Sequence, residues 1–178
     1  MARLALISGG CRSGKSRQAL ELAEKGGGGR LLVATCAPLD EEMKARIARH
    51  QAERRGRGWE TIEETIDLEG VLRTNAAFEV VLVDCLTLWI NNLLHAAQQQ
   101  SRELDEEEMG LRAAKVVDIC RQRPGKVVLV TNEVGLGIMP ENALARRFCD
   151  LVGRCNQVVA QAADEVIFMV SGLPLRLK

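Results

Sequence analysis

The chain has 178 residues, long enough for a sheet covered on both faces, and its 24 Lys and Arg are balanced by 24 Asp and Glu. Zero net charge supplies no general field for nucleic acid or an anionic membrane, and with 3% aromatic residues and no Tyr the chain lacks a stacking platform for single strands. No apolar run approaches a membrane span and no charged-then-apolar leader precedes the first predicted strand, so the expectation is one cytoplasmic domain over residues 1–178.

Leu4–Ile7 is predicted as a short buried strand, and Ser16–Lys25 as a helix with Ala19, Leu20 and Ala23 on one face. Between them, Gly9-Gly10-Cys11-Arg12-Ser13-Gly14-Lys15-Ser16 fits the phosphate-loop pattern G-x-x-x-x-G-K-[ST]. A strand that turns through glycines into a helix lets successive backbone N–H groups wrap a phosphate at the positive end of the helix dipole. In that pattern Lys15 reaches the β- and γ-phosphates and the Ser16 hydroxyl holds Mg²⁺. A bound nucleoside triphosphate is the prediction.

Four glycines, Gly26 to Gly29, form a turn into a second buried strand, Leu31–Thr35. Asp40–Arg55 has helical character, with acidic residues opening it and Arg54-Arg55 closing it. Gly56 and Gly58 break it before a short strand at Trp59–Glu63, and Asp67–Arg73 is a further helix. Phe78–Cys85 is a strongly apolar strand carrying Asp84 near its end, followed by a helical stretch through Leu94. A polar, acidic segment leads into a helix at about Glu107–Arg123, read with Leu111, Ala114, Val117 and Ile119 inward. Lys126–Thr131 is a strand, Asn132–Gly137 a loop, Glu141–Ala163 a long helix, and Val166–Val170 the last strand. Strands that are continuous apolar runs, alternating with helices, predict an α/β fold: a mostly parallel sheet with helices on both faces.

In such sheets ligands gather at the carboxyl ends of the strands. Asp84 suits a second acidic partner for Mg²⁺, which the apolar strand before it favours over the alternative of an N-cap for the following helix. Glu133 could orient a substrate, act as a base or close a turn. The six cysteines show no C-x-x-C pair, so they read as small hydrophobes rather than a disulfide or zinc framework, with Cys11 set apart inside the loop. His50 recurs with Met43 and Ile47 at helical spacing, which reads as an inward stripe. The same histidine has Arg46, Arg49, Arg54 and Arg55 around it, which would keep the ring neutral and nucleophilic.

The ordered set of segments resembles the bifunctional adenosylcobinamide kinase/adenosylcobinamide-phosphate guanylyltransferase family of cobalamin biosynthesis. The likeness runs through the opening loop, Arg46-Ile47-Ala48-Arg49-His50, Trp59 to Glu63, Val83 to Thr87, Thr131 to Gly135, Pro140-Glu141-Asn142, Gly153 to Gln157 and Val170-Ser171-Gly172. The resemblance implies a RecA-like phosphate-loop fold, a homotrimer, and His50 as the nucleophile that carries GMP. It implies nucleotide contacts from Gly9 to Ser16, from Ala34, Thr35 and Cys36, from Gln51, Ala52, Glu53 and Arg54, and from Glu63 and Asp84. The implied substrates are ATP or GTP, adenosylcobinamide and adenosylcobinamide phosphate, with Lys15 serving the kinase step. Where some relatives have a second histidine before the nucleophile, this chain has Arg49. A simple phosphate-loop kinase, with His50 structural, is the alternative reading. A GTPase-type switch is disfavoured because no N-K-x-D guanine-reading motif occurs.

Overall fold

A computed structural model describes residues 1–37 and 41–178, with all of their side chains except those of Glu42, Met43, Arg46, Ile47, Arg49, His50 and Glu53. The elements in chain order are β1 (Arg3–Gly9), α1 (Lys15–Glu24), β2 (Arg30–Ala34), α2 (Glu41–Arg54), β3 (Trp59–Glu63), α3 (Leu68–Thr74) and β4 (Val80–Asp84). They continue with α4 (Leu86–Gln99), α5 (Glu106–Gln122), β5 (Lys126–Val130), α6 (Ala143–Ala162), β6 (Glu165–Val170) and β7 (Leu173–Arg176). Asp40, expected to open the second helix, lies outside the described residues.

The strands form one seven-stranded sheet in the order β3-β2-β4-β5-β1-β6-β7. All neighbours are parallel except β6 and β7. One strand, β5, separates β1 from the strand that ends in Asp84, as a RecA-like arrangement requires. The antiparallel β7 was not foreseen. Its residues Leu173-Pro174-Leu175-Arg176 are all exposed, so they lack the apolar run of an interior strand, and Pro174 is tolerated because this is an edge.

Successive strand residues point to opposite faces, and both faces of this sheet are covered. Leu4 and Leu6 of β1 join a large core with Trp89 and Ile90 of α4, Met109 and Ala113 of α5, and Leu151 and Val159 of α6. Ala5 and Ile7, on the other face, pack with Ala19, Leu20, Leu22 and Ala23 of α1. The predicted stripe on α1 is therefore buried as expected. The stripe on α5 is met in part. Val117 and Ile119 are buried as expected, but Leu111 is exposed and Ala114 only half-buried, and Met109, Ala113, Val116 and Cys120 are the further inward residues. The Asp105 side chain accepts from Glu108 N–H at 2.8 Å and starts the helix there, which sets a phase that turns Leu111 outward.

Local signals explain the other helix starts. Asp67 caps α3 by accepting from Gly70 N–H at 2.9 Å, and Asn142 caps α6 by accepting from Ala145 N–H at 3.1 Å. At its far end α3 is closed by the Arg123 guanidinium, which donates to the carbonyls of Leu72, Asn75 and Phe78. Cys85, Cys120 and Cys155 are buried with thiols pushed up to about 12 by burial, so they pack as small hydrophobes. Cys11 is exposed.

Candidate active site at the carboxyl edge of the sheet

The loop after β1 is built to bring backbone close to an anion. Gly9 has φ 147° and Gly14 has φ 94°. A Cβ on Gly9 would lie 2.5 Å from the Met169 carbonyl oxygen and 2.9 Å from Ser13 Oγ, so only glycine fits. Gly14 is the N-cap of α1, no side chain caps the helix, and its first turn carries no acidic residue. The unpaired N–H groups and the positive end of the dipole are thus left to the loop. Lys15 is buried, and its Nζ donates to the Gly10 carbonyl at 2.6 Å, so the ammonium lies across the loop. Ser13 Oγ is buried with no hydrogen-bond partner among the described residues. A phosphate oxygen in the cradle would satisfy it. From β6–β7, the Gly172 N–H donates to the Ser13 carbonyl at 3.0 Å and braces the loop from outside.

The register aligns the other candidates. Glu63 pairs with Ala34, Ala34 with Asp84, Asp84 with Val130, and Val130 with Ile7, so these five form one row across the sheet. Asp84 is two strands from β1, ~10 Å between backbones, whereas Glu63 is four strands away, ~19 Å. Cys85, not Asp84, takes the N-cap position of α4, and no side chain makes a capping bond there. The Asp84 carboxylate is therefore not engaged in the capping role that competed with the metal role. Burial raises the Cys85 thiol, with Asp84 adding to the rise and Lys15 opposing it, which puts both charges in reach of one thiol. The Ser16 hydroxyl and Asp84 carboxylate are hard oxygen donors of the kind Mg²⁺ takes. Among the described residues no group of three or more His, Cys, Asp or Glu is placed to hold a metal ion by itself.

Thr35 and Cys36 follow β2 at the same edge. Thr35 is fully buried, and its hydroxyl donates to the Cys85 carbonyl at 2.7 Å while accepting from Cys85 N–H at 2.8 Å. It ties the end of β2 to the end of β4. A second polar cluster was missed at the sequence level. Thr87 and Thr131 hydroxyls lie 3.2 Å apart, Thr131 Oγ1 donates to Asn156 Oδ1 at 2.8 Å, and Asn132 N–H donates to Thr87 Oγ1 at 2.6 Å. The Asn156 amide donates to the Asn132 carbonyl at 3.1 Å and to Glu133 Oε2 at 3.4 Å, and Ser8 Oγ donates to the same Oε2 at 3.3 Å. The available signal was a lone Asn on the otherwise apolar inward face of α6.

The remaining candidates sit together elsewhere. Gln51 and Ala52 are exposed on α2, Arg54 is buried at its last turn, and Gln51 Nε2 donates to Glu63 Oε1 at 3.4 Å. Gln51, Ala52 and Arg54 line a cavity of about 640 Å³ with Arg55, Trp59 and Thr61. His50 and Glu53 lie within α2, and their side chains are outside the described residues. The structure thus places Gly9–Ser16 and Asp84 towards one corner and Gln51, Arg54 and Glu63 at another, with Thr35 on the strand between them.

A phosphate loop with an acidic strand end two strands away is shared by many enzymes, so the whole chain has to decide between them. Residues 5–177 match the model of the family described as cobinamide kinase / cobinamide phosphate guanyltransferase. The chain belongs to this family. Its similarity to curated members is near full length. It is 44% identical over 174 residues to the bifunctional adenosylcobalamin biosynthesis protein CobP of Pseudomonas aeruginosa, covering 97% of this chain and 96% of the relative. It is 41% and 42% identical to the proteins named CobU of Escherichia coli and Salmonella typhimurium, covering 97% of this chain and 98% of each. Family membership accounts for the phosphate-loop fold. Among the described residues, no helix is long and apolar enough to cross a membrane.

Proposed function

We propose that the chain phosphorylates adenosylcobinamide with ATP or GTP and then transfers GMP from GTP to adenosylcobinamide phosphate. Residues 1–178 act as one catalytic domain. The observation that carries this reading is the formed phosphate cradle of Gly9–Ser16 inside a chain whose family match runs over residues 5–177.

In the first reaction the N–H groups of the loop and first turn of α1 hold the phosphates. Lys15 exchanges the Gly10 carbonyl for phosphate oxygens. Ser16 and Asp84 hold Mg²⁺, which when bound offsets the charge that collects on the phosphates. In the second reaction the His50 imidazole attacks the α-phosphorus of GTP. The N–P bond forms, the α–β bridging bond breaks, and pyrophosphate leaves. A phosphate oxygen of the corrinoid then attacks the same phosphorus, releasing His50 and giving adenosylcobinamide-GDP. A covalent intermediate divides one difficult transfer into two easier ones. Ala34, Cys36, Gln51, Ala52, Glu53, Arg54 and Glu63 are the further nucleotide contacts in this reading.

The copies assemble as a homotrimer in the cytoplasm on this reading, and the exposed apolar side chains Val170, Leu173, Leu175 and Leu177 support an edge covered by a neighbour. Light scattering on the purified protein checks the trimer. The chemistry is tested by incubating protein with GTP labelled at the α-phosphate. The expected outcome is protein-bound label that survives alkali and is lost in acid. With γ-labelled nucleotide, label should pass to cobinamide. Transfer to cobinamide without any protein-bound α-label would leave a simple kinase.

A further inference from the structure

We propose that Glu133 accepts the proton of the substrate hydroxyl in the phosphoryl-transfer step, with Asn156 as its positioning residue; this rests on the kinase reading above. Glu133 stands immediately beyond the carboxyl end of β5, the strand between the phosphate-loop strand and the strand of Asp84. Its backbone N–H donates to the carbonyl of Gly9, where the loop begins, at 3.1 Å. That backbone bond already closes the connection, so the side chain is not needed for the turn.

The carboxylate is held in one orientation. The Ser8 hydroxyl and the Asn156 amide both donate to Oε2, and Oε1 accepts from none of the described residues. Asn156 is 7% exposed and is itself fixed by Thr131 Oγ1 and the Asn132 carbonyl. Thr131 in turn meets Thr87 of α4. Four elements, β1, β5, α4 and α6, therefore converge to aim a half-buried carboxylate at the edge where the phosphates lie. Among the described residues no Lys or Arg forms an ion pair with it.

The step balances without another reactant. The substrate oxygen forms the new O–P bond to the γ-phosphorus, the bridging bond to the β-phosphate breaks, and the nucleoside diphosphate leaves. The hydroxyl proton passes to Glu133 Oε1 and is released to water after the product departs. A loose phosphoryl-transfer transition state asks such a residue mainly to orient the nucleophile and remove its proton late.

The test compares wild type with Glu133→Gln, which keeps the shape and an oxygen for Ser8 and Asn156 but cannot take a proton. The expected result is a kinase kcat about 10²-fold lower or more. KM for cobinamide, affinity for a fluorescent GTP analogue and the protein-bound α-label should stay within about twofold. If Glu133→Gln loses nucleotide affinity, Asn156→Ala decides instead: base intact but unaimed, it should lower kcat about 10-fold with KM unchanged. Wild type that makes no cobinamide phosphate overturns the kinase reading and this assignment with it. Active wild type with Glu133→Gln within threefold of it overturns the assignment alone. So does a variant pair in which both reactions fall together with nucleotide affinity, which would make the cluster a brace.

Discussion

The two corners of the carboxyl edge are built on different terms. At the phosphate-loop corner, buried or partly buried bonds hold Lys15 on Gly10 and Glu133 on Ser8 and Asn156, and the neighbouring Thr35 on Cys85. At the α2 corner, Gln51 and Glu63 are both exposed and share one 3.4 Å bond beside an open cavity. The first corner is preorganised, which suits fixed electrostatic stabilisation of a transferring phosphoryl group. Among the described residues the second shows that one exposed bond beside the buried Arg54, and it carries the helix on which the proposed nucleophile sits. On the proposed reading, one reaction belongs to each corner.

His50→Ala breaks the comparison most sharply. The α-label should disappear entirely while phosphorylation of cobinamide persists, read on a gel and by product assay; loss of both would join the corners into one site. Lys15→Ala acts at the other corner and should lower the kinase kcat about 10²–10³-fold. Gly9→Ala forces a Cβ onto the Met169 carbonyl and Ser13 Oγ, and should cost about 2 kcal/mol, a fall in Tm of ~4–8 °C by calorimetry. Gln51→Ala, by contrast, should change stability by less than about 0.5 kcal/mol because its single bond is exposed. An equal drop in Tm for the two would erase the distinction.

The smallest effect is on acid stability. Asp164 is held below its ordinary value by the Arg121 guanidinium and by the Leu4 N–H of β1. At Glu24 burial pushes upward, but bonds from Trp59 and Arg57 outweigh it and leave the carboxyl lowered. Both are depressed in the folded state. Their stabilisation is therefore full above the ordinary carboxylate range and is lost as pH falls through the lower folded values. Asp164→Asn should lower Tm at neutral pH and narrow its gap to wild type under acid, followed by thermal melts across pH.

The legible parts were those whose chemistry is contiguous along the chain. The loop needs its glycines, Lys15 and Ser16 at fixed spacing, and the apolar runs of β1, β2, β4 and β5 declare buried parallel strands by themselves. β7 escaped because its alternating Leu173 and Leu175 stand exposed at an edge and do not make the continuous apolar run of a buried strand, and the placing of Leu111 failed because Asp105 sets the start of α5 from outside the helix. Thr35 was placed at the right edge, but its engagement with Cys85 depends on the pairing of β2 with β4. The Asn156–Glu133 cluster joins α6 to β5 and β1, and no local spacing encodes that meeting.

The position of β1 has a consequence for how the site comes into being on the ribosome. Its two sheet neighbours are β5, which starts at Lys126, and β6, and its Leu4 N–H waits for Asp164, 160 residues on. At synthesis rates of ~5–20 residues per second, that interval is on the order of ten to thirty seconds. For most of it β1 lacks both flanking strands, since β5 is complete only at Val130, and the Gly172 contact comes later still. The cradle is therefore completed only when β5, β6 and Gly172 have all been made, and its competence waits on segments far along the chain from the motif itself.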